Sequence, residues 1–190
     1  MRYRSTLLIA FILVGACGST ATPIATVTPS PSPSPDPASV ARLEGIYNVT
    51  YTVTSLSGAK TDVKMGQKTT RVWTATPKCA SGPCDTDIKA QAPPPGGGIT
   101  YSVLTFSGGA YHLSQSFIGG DCGRTTKQNA FDNAITILVT PSRFVTVGTT
   151  VFVAELTGTR TQVGTPRAIA MRLGCKQSFT YVFTASIVRR

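Results

Sequence analysis

Few residues in this chain have reactive chemistry to offer. Four cysteines, Cys79, Cys84, Cys122 and Cys175, lie in its body, and a fifth, Cys17, stands near its start. Four thiols either bind a soft metal or oxidise to two cystines, and four cysteines allow three pairings. A structural metal site wants close Cys-x-x-Cys pairs or nearby histidines. No such pair occurs, and the single histidine, His112, stands apart. Disulfides are therefore expected, with no metal and no cofactor. The favoured pairing is Cys79–Cys84, because Ala80-Ser81-Gly82-Pro83 between them is turn-forming. Cys122–Cys175 would then tie two distant parts of the chain.

Groups that move protons are equally sparse. His112 alternates with Ser114 and Ser116 along one face of a strand, but nothing around them resembles the sharp turn a nucleophilic serine needs. Asp85 and Asp87 stand two residues apart, the spacing of paired carboxylates or of two separately solvated ones. The glycine-rich stretches 96–98 and 119–123 introduce no helices, which makes them turns rather than phosphate cradles. No catalytic residue is assigned, and the chain is not expected to be an enzyme.

Cys17 has a different context. Arg2 and Arg4 precede an unbroken apolar run of eight residues, 7–14, the size of a signal-peptide core. It is shorter than the roughly 20 residues a bilayer-spanning helix requires. The run ends in Val14-Gly15-Ala16-Cys17, where two small residues give a peptidase access to the backbone. This resembles the lipobox of bacterial lipoproteins, with Val14 where leucine is commonest. The resemblance covers residues 1–18 and implies cleavage before Cys17, a diacylglyceryl thioether on its sulfur, and a protein held on the extracytoplasmic face of the cell membrane. Two or more acyl chains anchor stably, whereas one binds only marginally.

Residues 1–16 are thus read as a signal peptide and 17–42 as the lipidated cysteine followed by a Ser/Thr/Pro-rich linker. Prolines fall at every second position from 29 to 37, which removes backbone donors and fixes φ. Such a segment favours extended polyproline II, and 25 residues would reach on the order of 75 Å. The remainder, 43–190, suits one domain able to bury a substantial core. The chain carries 18 basic residues against 8 acidic ones. Arg2 and Arg4 would leave with the signal, and the rest are scattered. A dispersed positive excess favours solubility and long-range attraction to an anionic membrane. Nucleic-acid binding would call for a basic stripe interleaved with aromatics, and none is expected.

From Gly45 onward the hydrophobicity alternates with period two. Tyr47, Val49, Tyr51 and Val53 share one face of a first strand; Phe179, Tyr181, Phe183, Ala185 and Ile187 share one face of the last. Further strands are predicted near 66–76, 84–91, 98–106, 110–118, 133–140, 143–147 and 150–161, separated by Gly- and Pro-containing turns. One short helix is predicted over 165–174, with Thr165 as cap, Pro166 at its first position and Gly174 at its end. The fold expected is an all-β antiparallel barrel of about eight to nine strands, with a β-sandwich as the alternative. Pairing the two clean terminal strands would remove free edges that otherwise invite aggregation.

Gly45-Ile46-Tyr47 resembles the Gly-x-Trp opening of lipocalin-like barrels, with tyrosine for tryptophan. Val72-Trp73, Pro77-Lys78-Cys79 and Gly82-Pro83-Cys84-Asp85 resemble a pattern of uncharacterised extracytoplasmic actinobacterial domains, which implies a β-fold and the short disulfide but no activity. Aromatic residues occur on nearly every strand, and Trp73 shares its face with Arg71. In a filled barrel the aromatics are core; in a wider one they line a cavity for an apolar ligand. The function expected is a non-catalytic, membrane-anchored lipoprotein whose β-domain binds a hydrophobic small molecule or lipid. The alternative is an envelope protein-docking or structural module with a filled interior.

Overall fold

The computed structural model describes residues 34–58, 63–93, 97–120, 122 and 129–190. Cys17, the apolar run before it and the linker up to residue 33 lie outside the described residues. Ser34–Arg190 forms one compact unit.

Eight antiparallel strands close into a barrel in simple sequence order. They are β1 (Gly45–Gly58), β2 (Lys68–Pro77), β3 (Thr86–Gln91), β4 (Ile99–Ser107), β5 (Ala110–Gly119), β6 (Phe131–Val147), β7 (Thr150–Pro166) and β8 (Phe179–Arg189). Closure comes from β1 pairing with β8, in a register running from Tyr47 opposite Arg189 to Gly58 opposite Phe179. The alternating faces explain this choice: Tyr47, Val49, Tyr51 and Val53 are buried, as are Phe179, Tyr181, Phe183, Ala185 and Ile187. Pairing the two strands puts both apolar rows on one inner surface. The barrel is confirmed and the sandwich is excluded.

Two details differ from the sequence reading. The segments 133–140 and 143–147 are one strand, β6, which continues through Pro141 and Ser142 with register shifts against β7. The proline sits at an irregularity that bends the strand instead of ending it. The helix is shorter than expected. Thr165 and Pro166 prolong β7, opposite Asp132 and Phe131, and the helix α2 spans only Ala168–Arg172 with no side-chain cap.

A further one-turn helix, α1 (Pro37–Val40), lies in what reads as linker. Asp36 caps it, accepting a hydrogen bond from the Ala38 amide at 3.0 Å. Beyond it Ala41 and Leu43 are fully buried, and Arg42 forms a parallel bridge to Phe152. The segment before β1 therefore packs into the core at the end of the barrel where β1 begins. Here Leu43 joins Tyr47, Ile88, Leu104, Tyr111 and Leu156 in a filled interior.

Both disulfides are present as expected, Cys79–Cys84 and Cys122–Cys175. The first closes the loop between β2 and β3. The second ties the loop after β5 to the segment entering β8, and Cys122 is buried in the core with its sulfur 3.8 Å from the Ala170 carbonyl oxygen.

The wall is not uniform. β5 pairs with β6 along its length, but β4 and β5 meet only through Thr105–His112, Phe106–Tyr111 and Ser107–Ala110. From there the two strands diverge. On the outer face of β4, Ile99, Tyr101 and Val103 are exposed.

Tyr47 yields a testable consequence of the packed end. Its hydroxyl donates to the Val153 carbonyl at 2.8 Å, with the Glu44 carbonyl at 3.2 Å. Burial pushes its pKa up to about 12, against the opposing charge of Arg189 and the Glu44 backbone contact. The unfolded phenol titrates near 10. The stabilisation from this group is thus complete below pH 10 and is lost as pH rises from 10 towards 12. On the order of 2–3 kcal/mol is at stake. Urea unfolding followed by circular dichroism should show a midpoint that falls steeply above pH 10, and less steeply in Tyr47→Phe.

Candidate functional site

The opposite end of the barrel is not filled. A cavity of about 600 Å³ opens where β1 ends and β2 begins, and all eight strands contribute to its wall, β3 through Ala90 alone. Tyr51 and Val53 come from β1, Trp73 and Arg71 from β2, Leu113 and Phe117 from β5, Ile135 and Ile137 from β6, Arg160 and Gln162 from β7, and Tyr181 and Phe183 from β8. Gln67, Thr69, Thr100 and Phe117 are exposed and form part of the opening. The small side chains on β3 and β4 (Ala90, Thr100, Ser102) leave the space unfilled, whereas Ile88 and Leu104 on the same strands fill the closed end.

The aromatic wall is ordered by ring contacts. Tyr181 stacks on Phe179 at 4.5 Å, and Phe183 meets Tyr51 edge-on at 6.3 Å. Arg160 lies above this cluster, with its guanidinium 4.6 Å from the Phe183 ring centre and 5.4 Å from that of Tyr51. It also donates to Gln162 Oε1 at 2.7 Å, and Gln162 in turn donates to Asn133 Oδ1 at 3.1 Å. Burial lowers the Arg160 pKa from its ordinary value; Tyr51 acts in the opposite direction, and the like charge of Arg71 adds to the lowering. Burial raises the Tyr51 pKa, with Arg160 and Arg71 both opposing the rise.

The groups weighed for catalysis are not brought together. His112 is outside the cavity, with Nε2 at 3.3 Å from the Ser107 carbonyl. Asp85 accepts from the Phe106 amide at 2.9 Å, whereas Asp87 pairs with Lys78 at 3.1 Å. Those two carboxylates serve separate structural contacts. Among the described residues no three His, Cys, Asp or Glu side chains converge as metal ligands.

Trp73 and Arg71 do share a cavity face, as their spacing suggested. Arg160 was the residue the sequence did not single out. The signal was present only in retrospect: Gly158, Arg160, Gln162 and Gly164 recur with period two on β7, but as small and polar residues that mark no apolar face.

No family model matches the chain, and no curated protein matches it. Among solved structures it is similar to the monomer form of the Mycobacterium tuberculosis PknI sensor domain, at 12% identity and a TM-score of 0.43, over 78% of this chain and 87% of that one.

Proposed function

We propose that this protein is a non-catalytic binding lipoprotein: its barrel holds a hydrophobic small molecule or lipid, and acylated Cys17 tethers it to the outer face of the cell membrane. The observation that carries the reading is the cavity. Its volume of about 600 Å³ falls within the range of small-molecule sites. Its wall is built from Tyr51, Trp73, Leu113, Ile135 and Phe183. A docking module with a filled interior is less well supported, since only one end of this barrel is packed. Two cystines suit an oxidising extracytoplasmic compartment, in keeping with the signal and lipobox residues of 1–17.

The ligand is sought in an unacylated polypeptide running from Gly18 onward, exported so that its cystines form. Native mass spectrometry before and after organic extraction should reveal a co-purifying apolar mass. Trp73 is the sole tryptophan and lies in the cavity wall, so its fluorescence reports occupancy directly. Filling the space with Thr100→Phe and Gln115→Phe, the latter at a β5 position that also lines the cavity, should abolish ligand uptake while the thermal midpoint stays within a few degrees. Undiminished uptake would remove the cavity from the account. For the tether, Cys17→Ser should move the protein from the membrane pellet to the soluble fraction; retention in the pellet would count against acylation.

A further inference from the structure

Two cations face this cavity, and its described lining contains no acid. Arg160 and Arg71 project from strands that do not adjoin, β7 and β2, and each acts electrostatically on Tyr51 between them. A guanidinium taken out of water is costly unless it is paired. Among the described residues Arg160 is held by neutral groups: Gln162 Oε1 and the faces of Tyr51 and Phe183. Arg71, whose charge acts on it, has the same sign and makes the arrangement less favourable. A cavity meant for a purely apolar occupant has no use for two such charges, and leucine or methionine would fill those positions without the cost.

We infer that the ligand is an anionic amphiphile, its acidic head group at Arg160 and Arg71 and its hydrocarbon portion along Trp73, Leu113, Ile135 and Ile137. This rests on the ligand-binding reading above and specifies the ligand's class. The guanidinium presents a planar fork of donors that matches a carboxylate or phosphate with two parallel hydrogen bonds. The Tyr51 and Phe183 rings set that fork in place before the ligand arrives, which reduces the ordering cost of binding. An anion between the two arginines would also cancel their mutual repulsion. Dispersed positive charge elsewhere on the chain favours approach of the same kind of ligand.

The test uses the same unacylated polypeptide from Gly18 onward and the Trp73 signal, with four probes: dodecanoate, its methyl ester, dodecyl phosphate and inorganic phosphate. Dodecanoate or dodecyl phosphate should bind about tenfold or more tightly than the ester, the discrimination expected for hydrogen bonds to a charged group. Arg160→Gln should erase that preference while leaving the ester's affinity within about twofold. Arg71→Gln should reduce the preference in part, which provides a second readout if the first variant folds poorly; thermal melting reports the folding of each. Equal binding of acid and ester, unchanged in both variants, would overturn the head-group assignment and leave the cavity reading intact. If no long-chain probe binds, both fall. Inorganic phosphate that displaces dodecanoate as effectively as the amphiphiles do would assign the arginines to a small free anion instead.

Discussion

A chain carrying serine at both Cys122 and Cys175 is expected to unfold with about 4 kcal/mol less resistance than the parent. The cystine joins residues 53 apart, and the loop-closure entropy it removes from the unfolded chain grows with the logarithm of that separation. The Cys79–Cys84 link spans a separation of only 5, so its removal should cost about 2 kcal/mol. The difference has a location as well as a size. The long link encloses β6, β7 and α2, and it secures the segment that leads into β8, the strand on which barrel closure depends. For a domain whose total stability is of order 5–15 kcal/mol, 4 kcal/mol is a large share. It should lower the thermal midpoint by about 10 °C. Urea titrations of the two double-serine variants, each in its oxidised form, check the order. Equal losses would mean that unfolded-chain entropy is not what these links act on.

Gly158→Ala should be among the most damaging single methyls in the barrel, with a loss of about 3 kcal/mol or more. Gly158 lies opposite Val139 on β6 and Ala185 on β8, inside the longest pairing of the sheet. A Cβ there would overlap the Leu138 carbonyl oxygen and crowd the Val139 Cα. These are backbone atoms of a paired strand and cannot rotate aside as the end of a side chain does. Overpacking of well-fitted interiors typically costs 1–3 kcal/mol, and more where the neighbours are fixed. The same approach of β7 to β6 sets the position of Arg160 two residues on, so the variant should also weaken amphiphile binding. Gly148→Ala is the contrast in cost. It lies in the β6–β7 turn with open space around it, and only its positive φ of 61° opposes a side chain. The penalty there should be about 1 kcal/mol. Comparable denaturation midpoints for the two variants would show that the strand contact yields.

Much of this architecture is legible from alternation and spacing. The buried rows of β1 and β8 appear in the chain as tyrosine, valine and phenylalanine at every second position, and their mutual pairing follows from the need to hide both. The disulfide pairing was readable from the turn residues between Cys79 and Cys84. Other features were obscured by local signals that tertiary structure overrides. Pro141-Ser142 looks like a turn, yet β6 runs through it because β7 and a bulge accommodate the missing donor. Thr165-Pro166 looks like a helix start, yet Pro166 is buried opposite Phe131 at the end of β7. Ala41 follows a proline-rich stretch that looks wholly solvated, but it is packed in the core. The cavity was half visible: its aromatics were evident, whereas the inward-facing Arg160 was indistinguishable from a surface charge until the direction of β7 was known.

The brief contact between β4 and β5 has a dynamic consequence. A cylinder of hydrogen-bonded strands is only as tight as its least-stitched join, and this one is fastened at one end alone, beside the Ser107–Ala110 turn. Fluctuations should part the wall there first, so amides of 99–103 that point towards β5 should exchange their hydrogens well before those linking β1 to β8. Such a slit would run beside Thr100, Ser102, Leu113 and Phe117, giving a long hydrocarbon a sideways route past the rim. Uniformly slow exchange around all eight strands would show that the join is as secure as the rest.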